Sequence, residues 1–241
     1  MRATTQNPSA RRPAFDPAPP PVEAVVEISE VSVTYGSREA AVHALVEATA
    51  RLLPGDTTAV CGPSGSGKST LLHLVAGLVA PTSGQISWPG LDRSLPVRHQ
   101  IGVVFQAPSL VPALSVVENV ELPLLLQGTM PTAVARDLAH AALRDLELDG
   151  LAGALPEEIS GGQAQRVAVA RVLAGRPRLI CADEPTGRLD LDHALVVTDL
   201  LLHTAHQLGA PLLVATHDPR IADRLATTWP ILDGRLTQEP R

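Results

Sequence analysis

The sequence predicts an α/β fold, a mainly parallel sheet core covered by helices. Two observations predict it. Short β-prone apolar runs alternate along the chain with stretches of helical spacing. One such run, Thr57 to Cys61, passes through a glycine loop straight into a helix, the order that phosphate-binding folds use. A third observation singles out that loop. Lys68 is the only lysine among 241 residues, although Lys and Arg together number 19. An ammonium is a compact charge on a flexible stem and a guanidinium is a wide fork, so a loop wrapped around phosphates has room for the first and not the second.

Taken in order, Val25 to Tyr35 alternates apolar and polar residues as a strand or a pair of short strands would, and Val42 to Leu53 does so less clearly. Pro54-Gly55 marks a turn. Lys68 to Leu78 has helical spacing, with Leu71, Leu72, Val75 and Leu78 on one side. Residues 81–100 are rich in turn formers, and Ile101 to Phe105 is a strand. Ser115 to Gln127 and Pro131 to Leu146 read as helices. Ser115 with Glu118 forms a capping box, and Pro131 suits a first turn. A third helix starts near Ser160. Strands return at Leu179–Ala182 and Pro211–Ala215, with a helix over Leu191–Leu208 between them. The block from about 106 to 165 reads as an all-helical insertion within a domain spanning 24–241. Residues 1–23, which hold six of the 22 prolines, read as a disordered extension.

Composition narrows the function. Apolar residues make up 45% of the chain, enough for a real core. The net charge is −6 and no basic patch is visible, which argues against nucleic acid as a partner. Cys61 and Cys181 fall in apolar runs and read as small buried hydrophobes of a reducing compartment. The first residues lack the apolar core of a secretory signal, and no apolar run is long enough to span a membrane. Arginine in place of lysine, with abundant Ala and Pro, suggests a GC-rich and hence bacterial genome.

The chemistry lies in a few motifs. Gly62-Pro63-Ser64-Gly65-Ser66-Gly67-Lys68-Ser69-Thr70 matches the phosphate-loop pattern. Its glycines let successive N–H groups turn inward as an anion nest, and the helix adds its positive end. Lys68 would reach the β- and γ-phosphates, and the Ser69 hydroxyl would ligate Mg²⁺. The apolar run Leu179–Ala182 ends in Asp183 and Glu184. Asp183 is placed to hold Mg²⁺, and Glu184 to orient and polarise an attacking water.

With these motifs the sequence resembles the ATP-binding cassette (ABC) family, over about residues 24–241. Ile159-Ser160-Gly161-Gly162-Gln163 is similar to the family signature, with Ile where Leu is usual. The resemblance implies a P-loop NTPase of ABC ATPase type with an antiparallel β subdomain. It implies that the signature contacts the γ-phosphate of ATP held by a second copy, in a head-to-tail dimer with two ATP molecules. It assigns Gln106 to the glutamine loop that senses Mg²⁺ and the attacking water. It assigns His217 as the γ-phosphate switch, Asp190 to the loop that crosses the dimer, and Tyr35 to adenine stacking. Arg188, beside Asp190, is a less common residue there.

The stretches Leu110 to Leu124 and Ala182 to Gly187 resemble the branch of lipoprotein-release, macrolide-efflux and cell-division ATPases. That resemblance implies a membrane permease partner and a place on the cytoplasmic face of the plasma membrane. It also suggests that Leu110, Val111, Pro112 and Leu114 line a groove for a helix of that partner. The expected function is therefore an ATP-hydrolysing subunit that drives a permease. The alternative is an ATPase that gates a cell-wall or cell-division factor without moving cargo. Soluble cassettes of translation or DNA repair fit less well, because one cassette and no long coiled coil are present. A small-molecule kinase is opposed by the signature and by His217.

Overall fold

The computed structural model describes residues 22–37, 40–128, 130–187 and 189–237. The proline-rich stretch through Pro21, and Arg188, lie outside the described residues. Two sheets form the frame. Strands β1 (Val26–Tyr35), β2 (Val42–Leu52) and β4 (Ser83–Ser87) make an antiparallel sheet in the order β2-β1-β4. Strands β3 (Thr57–Cys61), β5 (Ile101–Val104), β6 (Leu179–Asp183), β7 (Leu212–Thr216), β8 (Thr227–Leu232) and β9 (Arg235–Leu236) make the second, in the order β5-β6-β7-β3-β8-β9. Every pairing in it is parallel except β8 with β9.

The central strands are continuous apolar runs because both of their faces are covered. In β6, Leu179 and Cys181 enter one core while Ile180 and Ala182 enter the other. In β7, Leu213 and Ala215 separate from Leu212 and Val214 in the same way. On one face lie α1 (Lys68–Val75) and the antiparallel sheet. On the other lie α2 (Val116–Leu126), α3 (Thr132–Asp145), α4 (Gly161–Ala174) and α5 (Leu191–Leu208). A short α6 (Pro219–Ala222) follows β7.

Local chemistry sets the helix ends. Helix α1 stops at Val75, short of the expected Leu78, because Gly77 turns left-handed at φ 70°. The Leu78 N–H then closes back on the His73 carbonyl at 2.8 Å, satisfying an orphan acceptor. Ser115 caps α2 through the expected capping box with Glu118. Pro131 is the cap residue of α3 rather than part of its first turn. The turn-rich stretch also holds β4, whose Ser-Gly-Gln-Ile-Ser sequence carries almost no strand signal.

Two buried polar groups hold the helical insertion together. The Arg136 guanidinium of α3 clasps both carboxylate oxygens of Glu121 on α2, and Glu121 is only 4% exposed. Asn119 is fully buried in α2. Its Oδ1 accepts from the Val111 N–H at 2.7 Å, and its amide nitrogen donates to Leu114 O at 2.9 Å and to Val111 O and Ser115 O, both at 3.1 Å. These bonds staple the segment between Gln106 and α2 to the helix. Replacing Asn119 by Ala strands those backbone groups in the interior. The expected result in urea denaturation is a loss of about 2–3 kcal/mol with the helical spectrum retained.

Candidate nucleotide site

Strand β3 delivers the glycine loop to the C-terminal edge of the parallel sheet, where ligands of open α/β sheets bind. Two glycines there are imposed by packing. A Cβ on Gly62 would lie 2.2 Å from the Ile231 carbonyl oxygen of β8. A Cβ on Gly67, which has φ 108°, would lie 2.3 Å from the Ala44 carbonyl oxygen of β2. The loop is thus pressed between both sheets, and α1 begins at Lys68 itself. Lys68 is 8% exposed, and its Nζ donates to Gly62 O at 2.8 Å and Pro63 O at 2.9 Å.

The loop opens on a cavity of about 240 Å³. Ser64, Gly65, Gly67, Lys68, Ser69 and Thr70 line one side of it. Gln106 and Glu184 reach the same cavity from the ends of β5 and β6. Three further residues of β2, Val42, His43 and Ala44, complete the lining, and no motif in the sequence marks them. Tyr35 does not line it. It pairs across the strands with Val42, leaving Tyr35 and Val42 as neighbouring exposed hydrophobics, 44% and 61% exposed, beside the loop. An aromatic and an aliphatic side chain left in water next to a phosphate nest suit a flat apolar base.

Glu184 sits at a forced backbone. Its φ is 45°, a left-handed conformation costly for any residue with a Cβ. The Glu184 N–H donates to Ala215 O at 3.0 Å and Gly187 N–H donates to Glu184 O at 3.1 Å, which fixes the bend. The bend turns the carboxylate out of the sheet. Glu184 Oε1 then lies 2.8 Å from Nδ1 of His217, which follows β7. Glu184 is 12% exposed and His217 70%, so the histidine covers the carboxylate from the solvent side.

Asp183, one residue earlier, is 5% exposed, and its Oδ1 has no hydrogen-bond partner among the described residues. A buried carboxylate oxygen free of protein donors suits a cation. Oxygen donors only, with Ser69 and Gln106 on the adjoining cavity, fit a hard divalent ion such as Mg²⁺. Among the described residues no cluster of three His, Cys, Asp or Glu side chains forms a protein cage.

Ser160, Gly161, Gly162, Gln163 and Asp190 are not brought to this cavity. Ser160, Gly162, Gln163, Leu189, Asp190 and His193 are among the residues around a separate cavity of about 220 Å³, which shares none of its lining. Ser160 caps α4, with its Oγ accepting from Gln163 N–H at 3.2 Å and Gln163 Oε1 accepting from Ser160 N–H at 2.8 Å. A Cβ on Gly161 would meet nothing within 4 Å, so the first residue of the helix faces open space. Asp190 caps α5 and accepts from His193 N–H at 3.0 Å, with Nδ1 of the His193 ring 2.7 Å from Oδ2. The backbone N–H and then the ring hold the Asp190 carboxyl below its usual range.

A third cavity, of about 420 Å³, is apolar in character and lies between β5, α2 and α4. Phe105, Leu122, Pro123, Leu126 and Val172 are among its lining residues. Leu110, Val111, Pro112 and Leu114 do not line this cavity; Asn119 bonds the Val111 and Leu114 backbone, and Val111 and Pro112 stay exposed. Among the described residues no helix is long and apolar enough to cross a membrane.

Comparisons with known proteins agree with this geometry. Residues 45–187 match the family model described as "ABC transporter". The chain is 40% identical over 226 residues to an uncharacterized ABC transporter ATP-binding protein of Mycobacterium tuberculosis, covering 88% of each. It is 36% identical over 222 residues to the lipoprotein-releasing system ATP-binding protein LolD of a Shewanella strain, covering 89% of this chain and 96% of that protein. A solved dimeric ATP-binding cassette in a post-hydrolysis state, bound to ADP and Pi, superposes with a TM-score of 0.80 at 35% identity, covering 88% of this chain and 97% of the other. This chain belongs to the ABC transporter family and is one of its ATP-binding, ATP-hydrolysing subunits.

Proposed function

We propose that this subunit binds Mg²⁺–ATP at the glycine-loop cavity, hydrolyses it as a head-to-tail pair, and passes the closing motion to a membrane permease. The observation that carries the reading is the convergence of three elements on one cavity: the only lysine, Gln106, and a strained Glu184. Loop N–H groups and Lys68 hold the phosphates. Tyr35 and Val42 take the adenine. Glu184 orients the attacking water and accepts its proton as the water oxygen bonds to the γ-phosphorus and the bond to the β–γ bridging oxygen breaks, with ADP leaving, and His217 keeps that carboxylate aimed. Ser69, Gln106 and Asp183 would hold Mg²⁺, which supplies charge neutralisation on the phosphate oxygens.

The bare N-terminus of α4 supports the dimer. It presents free N–H groups and a positive helix end, yet the chain's own phosphate loop does not share its cavity. A second copy placed head to tail brings a γ-phosphate to Ser160, Gly161, Gly162 and Gln163, with Asp190 crossing beside it. The apolar groove at Phe105 and Leu126 supports a helix of the permease, which would hold the subunit at the cytoplasmic face of the membrane. The likeness to a lipoprotein-releasing ATPase favours a permease with few transmembrane helices and a large extracytoplasmic domain.

Three variants test this. Glu184→Gln is expected to lower turnover by roughly a hundredfold or more while ATP holds the dimer closed in gel filtration. Near-normal turnover removes Glu184 from the base role. Lys68→Ala is expected to abolish most ATP affinity in calorimetry, and unchanged affinity removes Lys68 from the site. Gly161→Asp has room in the folded chain, so it should fold and bind ATP as a monomer but fail to dimerise. Dimerisation of that variant in ATP would overturn the head-to-tail arrangement.

A further inference from the structure

Arg171 of α4 is a half-buried cation that pairs with no carboxylate among the described residues. Burial without an anion lowers its pKa and costs stability. Its guanidinium instead donates to two carbonyls, Ser109 O and Pro108 O, both at 3.0 Å. Those carbonyls belong to the loop that begins at Gln106. On the same helix, Gln165 donates through Nε2 to Phe105 O at 3.3 Å. The signature helix therefore holds the backbone on both sides of Gln106.

The loop needs such a hold. Ser109 has φ 49°, a left-handed conformation that persists only where its surroundings over-determine it. Two carbonyls one residue apart match the planar fork of a guanidinium and not the single point of an ammonium. Arg171 also faces the 420 Å³ groove together with Phe105 and Ser109, and Arg98 and His99 face the same groove. Whatever occupies that groove touches the group that holds the loop.

We propose that Arg171 is the positioning residue of the Gln106 loop: it keeps Gln106 at the nucleotide cavity and ties that loop to the signature helix. The proposal rests on the reading of Gln106 as a residue of the ATP site. Its effect should fall on turnover, acting through Gln106, and not on ATP affinity, which the glycine loop supplies.

The test is a double-variant cycle on the full chain, with steady-state ATPase rates and calorimetric ATP affinities for wild type, Arg171→Met, Gln106→Ala and the pair. Arg171→Met is expected to slow turnover roughly ten- to a hundredfold. Its ATP affinity should stay within about twofold of wild type, and the pair should match Gln106→Ala within about twofold. Arg171→Lys, which reaches one carbonyl, should recover part of the rate. A pair slowed by the product of the two single losses overturns the proposal, as does wild-type turnover in Arg171→Met beside a slow Gln106→Ala. Wild-type turnover in Gln106→Ala sinks the underlying reading of Gln106 and the proposal with it. Should Arg171→Met lose its folded circular dichroism spectrum, Arg171→Lys carries the same cycle: a smaller, non-additive loss supports the proposal and an additive one overturns it.

Discussion

A polyphosphate carries more negative charge than side-chain cations alone can surround at close range, so the backbone must do most of the holding. That requirement shapes the centre of this molecule. N–H groups can converge on one point only if the chain turns inward repeatedly and no Cβ intervenes. The loop after β3 meets this by lying between the carbonyls of Ala44 and Ile231, a gap that leaves room at Gly62 and Gly67 for hydrogen alone. Strands on both sides are thereby committed. β2 must pass close enough to contribute Ala44, and β8 must run parallel beside β3 to contribute Ile231. Lys68 adds the chain's one lysine charge. Its two carbonyl bonds keep an otherwise buried ammonium satisfied, and both acceptors belong to the loop it serves.

The rest of the chemistry is arranged by strand order. In the sequence β5-β6-β7-β3, each strand ends at the same edge because all the pairings are parallel. Gln106, Glu184 and His217 each follow such an end and Asp183 closes β6, so Gln106 and Glu184 line one cavity with Lys68 and His217 meets Glu184. Covalent turns alone would not aim them. Glu184 needs a left-handed backbone, and the Gln106 loop needs one at Ser109. Glu184 lies where its side chain leaves the direction of β6 and Ser109 lies within the loop that follows β5, and each bend is held by backbone bonds or by a neighbouring helix.

The motifs and the strands that carry them could be read from the residues, because each pairs a strong local signal with an element boundary. The glycine loop sits between a β-prone run and a helix, and Ser115 and Ser160 announce their helices through capping boxes that the structure contains. Strand β4 escaped because Ser83–Ser87 forms by pairing with β1, a long-range choice its polar residues do not advertise. Strands β8 and β9 escaped for a similar reason, since a proline interrupts the first and the second has two residues. Val42, His43 and Ala44 became cavity residues only through the register that sets Tyr35 opposite Val42. The groove shows the same limit. Its lining draws on β5, α2 and α4 together, a convergence no single stretch of sequence marks, while the buried amide of Asn119 holds the backbone of Val111 and Leu114.

The division of the predicted site into two cavities has a physical logic. Helix α4 begins with exposed N–H groups in an open setting, an arrangement that favours an anion. Its own chain cannot supply that anion from the glycine-loop cavity without giving up the packing of α4 against β5 and α2, which buries Val116, Val120 and Val167 in one core. Breaking that core costs more than a helix terminus gains from one phosphate, on the order of 1–2 kcal/mol. In the proposed pair, a second copy would supply the anion without disturbing either fold. The same helix that would meet the partner's nucleotide holds the loop of Gln106 through Gln165 and Arg171. One helix thus touches three places: the proposed dimer face, the chain's own Gln106 loop, and the groove proposed for the permease. In that reading coupling among them needs no long relay, because one helix carries all three contacts.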